Sequence, residues 1–261
     1  MTLAHFDFAG WFSALPFLIG AATFTWLLSL PLRNVSIVDS AWSLMLFIAG
    51  VIYALGSDPR APRLSLVLWM LAIWALRLAL YITARNAGKG EDHRYQEIRA
   101  RNQPGFAVKS LYLVFWLQAG LAWVISLPLL GAFASTSPLG WLDYAGLALW
   151  LAGMVFEAGG DWQLARFKKD PANAGKVMDR GLWRYTRHPN YFGEFCVWWG
   201  FGLVAFSAGA WWAVPGPVLI SFLLLRVSGV SLLEKDIGKR RPQYADYVLK
   251  TNAFFPGPPR N

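Results

Sequence analysis

Phe8 to Leu32 reads FAGWFSALPFLIGAATFTWLLSLPL, 25 residues without a charged side chain. About 20 mostly apolar residues of helix cross a bilayer's hydrocarbon core, so this stretch reads as a membrane span. The pattern then repeats down the chain. Val35 to Gly56 is a second apolar run, broken only by Asp39; Leu64 to Ala84 is a third and carries Arg77. Leu111 to Ala134 is a fourth, and Trp141 to Gly160 a fifth, with Glu157 near its end. Phe195 to Leu225 is 31 residues without a charge, long for one span and short for two. Ala208-Gly209-Ala210 and Pro215-Gly216-Pro217 supply breaks, so we expect a hairpin of two spans, about 191–207 and 211–232.

The chain has 261 residues, 56% hydrophobic and 15% charged, with a formal charge of +9. Soluble domains carry about 25% charged residues. The cations are not spread evenly. With seven spans, one side holds Arg33, six Lys/Arg in 85–109, seven in 166–187 and seven in 226–261, and the other holds Arg60 and Arg63. Cytoplasmic loops of membrane proteins carry such an excess. The expectation is therefore an all-α, polytopic membrane protein of seven transmembrane helices, N-terminus outside and C-terminus cytoplasmic, in a single domain over 1–261. Membrane lipid is then the partner of the basic loops, and nucleic acid is not expected. The three histidines are scattered and there is one cysteine, so no metal site is expected. No Gly-x-Gly-x-x-Gly follows a strand, which excludes a soluble dinucleotide fold.

Charges inside hydrocarbon cost at least ~2.5–3.5 kcal/mol each, so such residues are functional candidates. Asp39, Arg77 and Glu157 qualify. Helical spacing puts Asn34, Val38 and Trp42 near one stripe, with Asp39 adjacent. The loop Arg85-Asn86-Ala87-Gly88-Lys89-Gly90-Glu91-Asp92-His93-Arg94-Tyr95 is compact and polar, with glycines that allow close backbone approach to a ligand.

The richest stretch is Asp179-Arg180-Gly181-Leu182-Trp183-Arg184-Tyr185-Thr186-Arg187-His188-Pro189-Asn190-Tyr191-Phe192-Gly193-Glu194. Arg180, Arg184 and Arg187 offer forked donors suited to phosphate. Pro189 is a good first residue of a helix, whose amides face an anion. Asn190 and Glu194 are four apart, on one helical face. The tail Glu234-Lys235-Asp236-Ile237-Gly238-Lys239-Arg240-Arg241-Pro242-Gln243-Tyr244 is basic and amphipathic, and reads equally as a surface helix or a cofactor lid.

Arg187 to Glu194, preceded by Gly181-Leu182-Trp183-Arg184-Tyr185, resembles the C-terminal signature of the steroid 5-alpha-reductase family. Lys89-Gly90-Glu91-Asp92-His93-Arg94-Tyr95 and Glu234 to Tyr247 resemble its bacterial branch. The His-Pro-x-Tyr element is shared with sterol reductases and with isoprenylcysteine carboxyl methyltransferases, which bind S-adenosylmethionine. A lipid methyltransferase is therefore the alternative reading, and the density of cations favours NADPH.

The resemblance implies an NADPH-dependent reductase of the 4,5 double bond of 3-oxo-delta-4 steroids or a related lipid enone. It implies a monomer in the bacterial inner membrane, with substrate-side helices over about 1–110 and cofactor-binding helices and loops over about 111–261. Asn190, Glu194 and Asp161 then match the cofactor-binding Asn, Glu and Asp, and Tyr185, Arg184 and Lys168 match phosphate or ribose contacts. Arg180, Arg187, His188 and Tyr191 fall in the same signature. Arg77, Asp92, Arg94 and Glu157, with Glu234, Asp236 and Arg240 of the tail, complete the expected cofactor side. On the substrate side, Asn34, Val38, Trp42 and Trp74 join Asp39. Asp39 stands where the family has the Glu that, with a Tyr, polarises the 3-ketone. The family's Tyr falls near Trp74, which leaves Tyr53, Tyr81 and Tyr95 as candidates for the second donor. A carboxyl in apolar surroundings stays protonated and donates, which is the role expected of Asp39.

Overall fold

The structure is a computed structural model and describes residues 3–227 and 243–260. Among these the chain is helical, with no strand. Glu234, Asp236 and Arg240 lie outside the described residues.

The chain divides into two compact units, 1–140 with 205–216, and 141–204 with 217–261. In the first, α1 spans Phe8–Leu32, α2 Ile37–Leu55, α3 Arg63–Asn86 and α4 His93–Arg101. A last long helix, α5, runs over Phe106–Ala132. α1, α2, α3 and α5 are each long and apolar enough to cross a membrane. Asp7 accepts from Gly10 N–H at 2.9 Å, which caps α1. Leu18, Met45, Leu46, Leu71, Trp74, Phe115 and Ile125 make the buried core. α2 and α3 approach closely because Gly50 has no Cβ; one there would stand 2.3 Å from Leu71 Cδ2. Phe12, Phe17, Phe24 and Leu27 leave α1 with an exposed apolar face. Such a face suits lipid rather than water.

The sequence reading needs adjusting at three places. α2 begins at Ile37, so Asn34 sits in the turn before it and not on the stripe with Val38 and Trp42. Arg33, with φ 48, closes α1 in the left-handed conformation, and the chain needs Asn34 and Val35 to change direction. The fourth run is interrupted at Ser126, where one helix ends and a short one begins at Leu127. Finally, the 85–109 loop is itself largely helical.

In the second unit, α6 runs over Trp141–Lys169 and α7 starts at Pro189 and reaches Ser207. α6 thus extends well past Gly160, placing Glu157 and Asp161 within a helix rather than at its end. Gly146, Gly153 and Gly160 recur every seven residues along α6, and Gly193 and Gly200 do the same on α7. A Cβ at Gly146 would lie 2.7 Å from Gly200 O, and one at Gly193 would lie 2.4 Å from Glu157 N. Small residues at that period let two apolar helices touch backbone to backbone. The chain turns over Ala208–Ala210, and α8 resumes at Pro215–Phe222. Trp199 Nε1 donates to Ser221 Oγ at 3.1 Å, which ties α8 back to α7.

The C-terminal segment is a strap. α9 spans Tyr244–Lys250, and the residues after it double back so that Arg260 N–H donates to Lys250 O at 2.8 Å. Thr186 Oγ1 donates to Phe254 O at 2.7 Å, Arg187 N to Asn252 O at 2.9 Å, and Gly257 N to Tyr185 O at 3.1 Å.

Candidate functional site

Two clusters carry chemistry, one in each unit. The first gathers at the head of α2. Asp92 caps α4 by accepting from Arg94 N–H at 3.0 Å, and α4 then turns Arg94 and Tyr95 toward α2. Tyr95 Oη donates to Asp39 Oδ1 at 2.5 Å, and Arg94 Nη2 donates to Asp39 Oδ2 at 2.7 Å. The Asp39 side chain keeps 16% of its surface exposed and that of Arg94 37%. Arg94 also pairs with Asp92, Nε to Oδ1, at 3.0 Å. Glu91 fastens the loop from the other side. It accepts from Val35 N–H at 2.8 Å and takes two donors from Arg99, both at 2.7 Å. Ser36 Oγ accepts from Asp92 N–H at 3.3 Å.

The electrostatics follow from these contacts. Burial, and then the Asp39 charge, push the Tyr95 phenol well above the ordinary tyrosine range, so it stays a donor. Burial works against the Arg94 charge, but Asp39 and Asp92 outweigh it and hold the guanidinium above its ordinary range. Burial also works to raise Glu91 and Asp92. The donors from Arg99 and Val35 to the first, and from Arg94 to the second, outweigh it and hold both carboxyls below their usual range.

One helical turn beyond Asp39 on α2 stands Trp42. Trp42 and Trp74 meet edge to face with ring centroids 6.2 Å apart, and Trp74 is fully buried. The Trp42 indole N–H is buried and has no hydrogen-bond partner among the described residues.

The second cluster lies where α6 meets the start of α7. Asn190 Nδ2 donates to Asp161 Oδ1 at 3.2 Å. Glu194 is buried one turn on and accepts from Trp198 Nε1 at 3.1 Å. Glu157 and Asp161 are buried on the facing helix. The His188 and Tyr191 rings stack with centroids 5.7 Å apart. Trp183 Nε1 donates to Gly160 O at 3.0 Å, which plugs the loop onto α6.

A model of the family described as a protein of unknown function, DUF1295, matches residues 25–251. The chain belongs to the DUF1295 family. Its relation to the steroid 5-alpha-reductases is borne out as well: it is 37% identical over 79 residues to the 3-oxo-5-alpha-steroid 4-dehydrogenase 1 of Mus musculus, covering 30% of this chain and 29% of that protein. The Rattus norvegicus enzyme of the same name gives 37% over 79 residues, 30% of this chain and 28% of that one. The chain thus matches under a third of the length of these reductases. An uncharacterized protein of Schizosaccharomyces pombe is 26% identical over 88% of this chain and 75% of its own. No solved structure matches.

Against this DUF1295 fold the expected site residues fall into groups. Asp39, Val38, Trp42 and Trp74 share the first cluster. Arg94 and Asp92, expected on the cofactor side, join them there. Tyr95, one of three tyrosines considered, is the partner of Asp39. Tyr53 stands 14 residues further along α2, roughly 21 Å at the helical rise, and hydrogen-bonds to Ser126 Oγ at 2.9 Å. Tyr81 lies under the guanidinium groups of Arg77 and Arg85, 5.5 and 5.8 Å from its ring centre. Glu157, Asp161, Asn190, Tyr191 and Glu194 share the second cluster.

The arginines of the signature split by role. Arg187 is buried, and its Nη1 donates to Thr251 O at 2.8 Å and Val248 O at 3.3 Å, which anchors the strap. Arg180, Arg184 and Lys168 are exposed, and Tyr185 is 46% exposed. The loop pair Glu91 and Arg99 was not singled out from the sequence; its one signal is an acid and a base eight apart around a short helix.

Proposed function

We propose that the chain is a membrane-embedded reductase of the double bond of a lipid enone, with 3-oxo-delta-4 steroids as the substrate class, using NADPH. The carrying observation is the Tyr95 hydroxyl held 2.5 Å from Asp39, which lies one helical turn before Trp42 on α2. Hydride addition to an enone builds negative charge on the carbonyl oxygen. A positioned donor at that oxygen lowers the barrier most in a site shielded from water. Tyr95 supplies it. Asp39 holds the phenol in place and Arg94 holds Asp39, so the hydroxyl is aimed before substrate arrives. Asp39 acts here as the acceptor that orients a donor rather than as the donor itself, because both its oxygens receive hydrogen bonds. As negative charge builds on the ketone oxygen, Tyr95 turns its hydrogen from Asp39 to that oxygen, and Arg94 keeps Asp39 paired.

The second cluster fits a dinucleotide by its donor set. Asn190 presents an amide, Asp161 and Glu194 present buried carboxylates suited to ribose or carboxamide donors, and Arg184 and Lys168 present exposed cations for phosphates. NADPH, when bound, supplies one hydride to carbon 5 of the enone and leaves as NADP+, while a proton from solvent completes carbon 4. The aromatic walls of Trp42 and Trp74 take the flat apolar body of the substrate. We read the apolar helices as seven spans, N-terminus outside, with the basic loops on the cytoplasmic side of a bacterial inner membrane.

The test is purified protein in neutral detergent with NADPH and progesterone. Expected is loss of nicotinamide absorbance matched by formation of the saturated 3-ketone. NADPH that stays unconsumed with steroid and with simpler cyclic enones, alongside methyl transfer from S-adenosylmethionine to a lipid thiol or acid, would overturn the reading.

A further inference from the structure

We propose that the groove between residues 177–184 and the C-terminal strap is a phosphate-monoester site, gripped by Arg184, Lys250 and Arg260, and that it sets the choice of NADPH over NADH. The inference rests on the cofactor reading above and deepens it. The groove has a volume of about 570 Å³, within the range of small-ligand sites. Its cations come from three separate segments: the loop ahead of α7, the last residue of α9, and the end of the returning strap.

Their convergence is built by backbone. Arg260 N–H donates to Lys250 O at 2.8 Å, which holds the backbones of the two basic residues together. Gly257 N to Tyr185 O, at 3.1 Å, brings the strap to the residue next to Arg184. Among the described residues neither Arg184 nor Lys250 forms an ion pair, and Arg260 spends one nitrogen on Asn252 Oδ1 at 3.3 Å. Like charges gathered in one groove repel one another, and a bound anion relieves that repulsion. Asp179 and Asp246 also line the groove, so three cations and two acids leave a net charge of +1 there. That balance suits one dianionic monoester beside hydroxyl groups, which the acids can accept from.

The groove is linked to the Asn190 cluster through one side chain. Tyr247 lines the groove and donates to Trp183 O. Trp183 in turn holds Gly160 O, and a Cβ on Gly160 would lie 3.2 Å from Asn190 N. A ribose phosphate is the part of NADPH that NADH lacks, and a groove set apart from Asn190 yet packed through Trp183 is where such a group can be read.

The experiment titrates NADPH and NADH separately into the full chain in neutral detergent, following binding by calorimetry. The parent protein is expected to bind NADPH about 10- to 100-fold more tightly than NADH. Lys250→Gln with Arg260→Gln, both exposed and neither anchoring the strap through its side chain to the buried residues, is expected to remove most of that preference and leave NADH binding unchanged. Equal binding of both nucleotides by the parent, or equal weakening of both by the double variant, overturns the proposal. If neither nucleotide binds, the cofactor reading fails and the groove is judged alone. Phosphatidic acid in bicelles should then shield Lys250 from amine labelling, as should inorganic phosphate, and shielding by neither overturns the site. Displacement of bound NADPH by phosphatidic acid in the parent but not in the double variant would instead assign the groove to a lipid headgroup and overturn its role in cofactor choice.

Discussion

Tyr95 and Asp39, 56 residues apart in sequence, share a 2.5 Å hydrogen bond, and Arg94 takes the other Asp39 oxygen at 2.7 Å. The pair makes the first prediction. Tyr95→Phe removes the donor aimed at the developing oxyanion and should lower kcat by ~10²–10³. Asp39→Asn keeps an acceptor for Tyr95 but loses the charge that Arg94 needs, and should fall between the parent and Tyr95→Phe. The double variant should lose little beyond Tyr95→Phe alone, because residues that act as a unit are not additive. Steady-state rates with progesterone decide it, with NADPH binding measured alongside and expected to be unchanged. Near-parent turnover by Tyr95→Phe would remove Tyr95 from the chemistry.

The loop that carries Tyr95 should be sensitive to acid. Glu91 and Asp92 both sit below their usual carboxyl range in the folded chain. A carboxyl whose folded value is depressed stabilises the fold above its unfolded value, ~4 for these groups, and that contribution is lost as pH falls through the folded value. Residues 91–101 are therefore expected to lose amide protection, taken against the intrinsic exchange rate at each pH, as pH drops from about 5 toward 3. Glu91→Gln, which cannot ionise, should show low protection in that loop already at neutral pH and a smaller further loss with acid, carried by Asp92. An exchange profile in Glu91→Gln that matches the parent at every pH would mean that the contacts to Val35 and Arg99 do not hold the loop.

For the second cluster, Asn190→Ala and Asp161→Asn should each weaken NADPH about 10- to 100-fold by loss of a buried polar contact. The kcat at saturating cofactor should stay within a few-fold of the parent. Equilibrium dialysis against NADPH measures the first quantity. Unchanged affinity in both variants would place the cofactor away from the start of α7.

The apolar runs were legible because span length is a matter of composition: twenty-odd residues without charge leave one structural choice in lipid. The seven-residue glycine seam of α6 and α7 was equally present in the letters and was missed, since it shows only when two helices are laid together. The Asp39 site was half legible. A carboxyl in an apolar run announces itself, but its partner does not, because nothing local ties Tyr95 to α2. That tie runs through Glu91, Asp92 and Ser36, hydrogen bonds spanning 56 residues. The backbone partners of Arg187 were hidden for a different reason. A basic residue beside two others reads as an anion ligand, and only burial against the strap carbonyls reveals a guanidinium used on backbone.

Topology offers an independent check on the seven-span reading. Reporter fusions after Arg33, Gly90, Asn173 and Asn261 should read cytoplasmic, and those after Asp58, Ser137 and Gly209 external. A cytoplasmic reading at Gly209 would remove the closing hairpin from the membrane and leave the basic strap on the cytoplasmic face as before.

Trp42 carries the last prediction, in which stability and affinity should move in opposite directions. Its indole N–H is buried without a partner among the described residues, one helical turn beyond Asp39 and against Trp74. A buried donor left unsatisfied costs ~1–3 kcal/mol, and folded proteins retain such a group where a ligand or water completes it. Trp42→Phe keeps an aromatic wall and deletes the donor. The variant should therefore melt a few degrees higher without substrate, by about 1 kcal/mol less the packing lost with the smaller ring. With an enone carrying a second oxygen its KM should rise roughly 5- to 10-fold at near-parent kcat, the loss of one hydrogen bond made equally in ground and transition states. An enone without that second oxygen should show no change in KM, since it never met the indole. A variant that is less stable and shows the same KM for both enones would make Trp42 a packing residue alone.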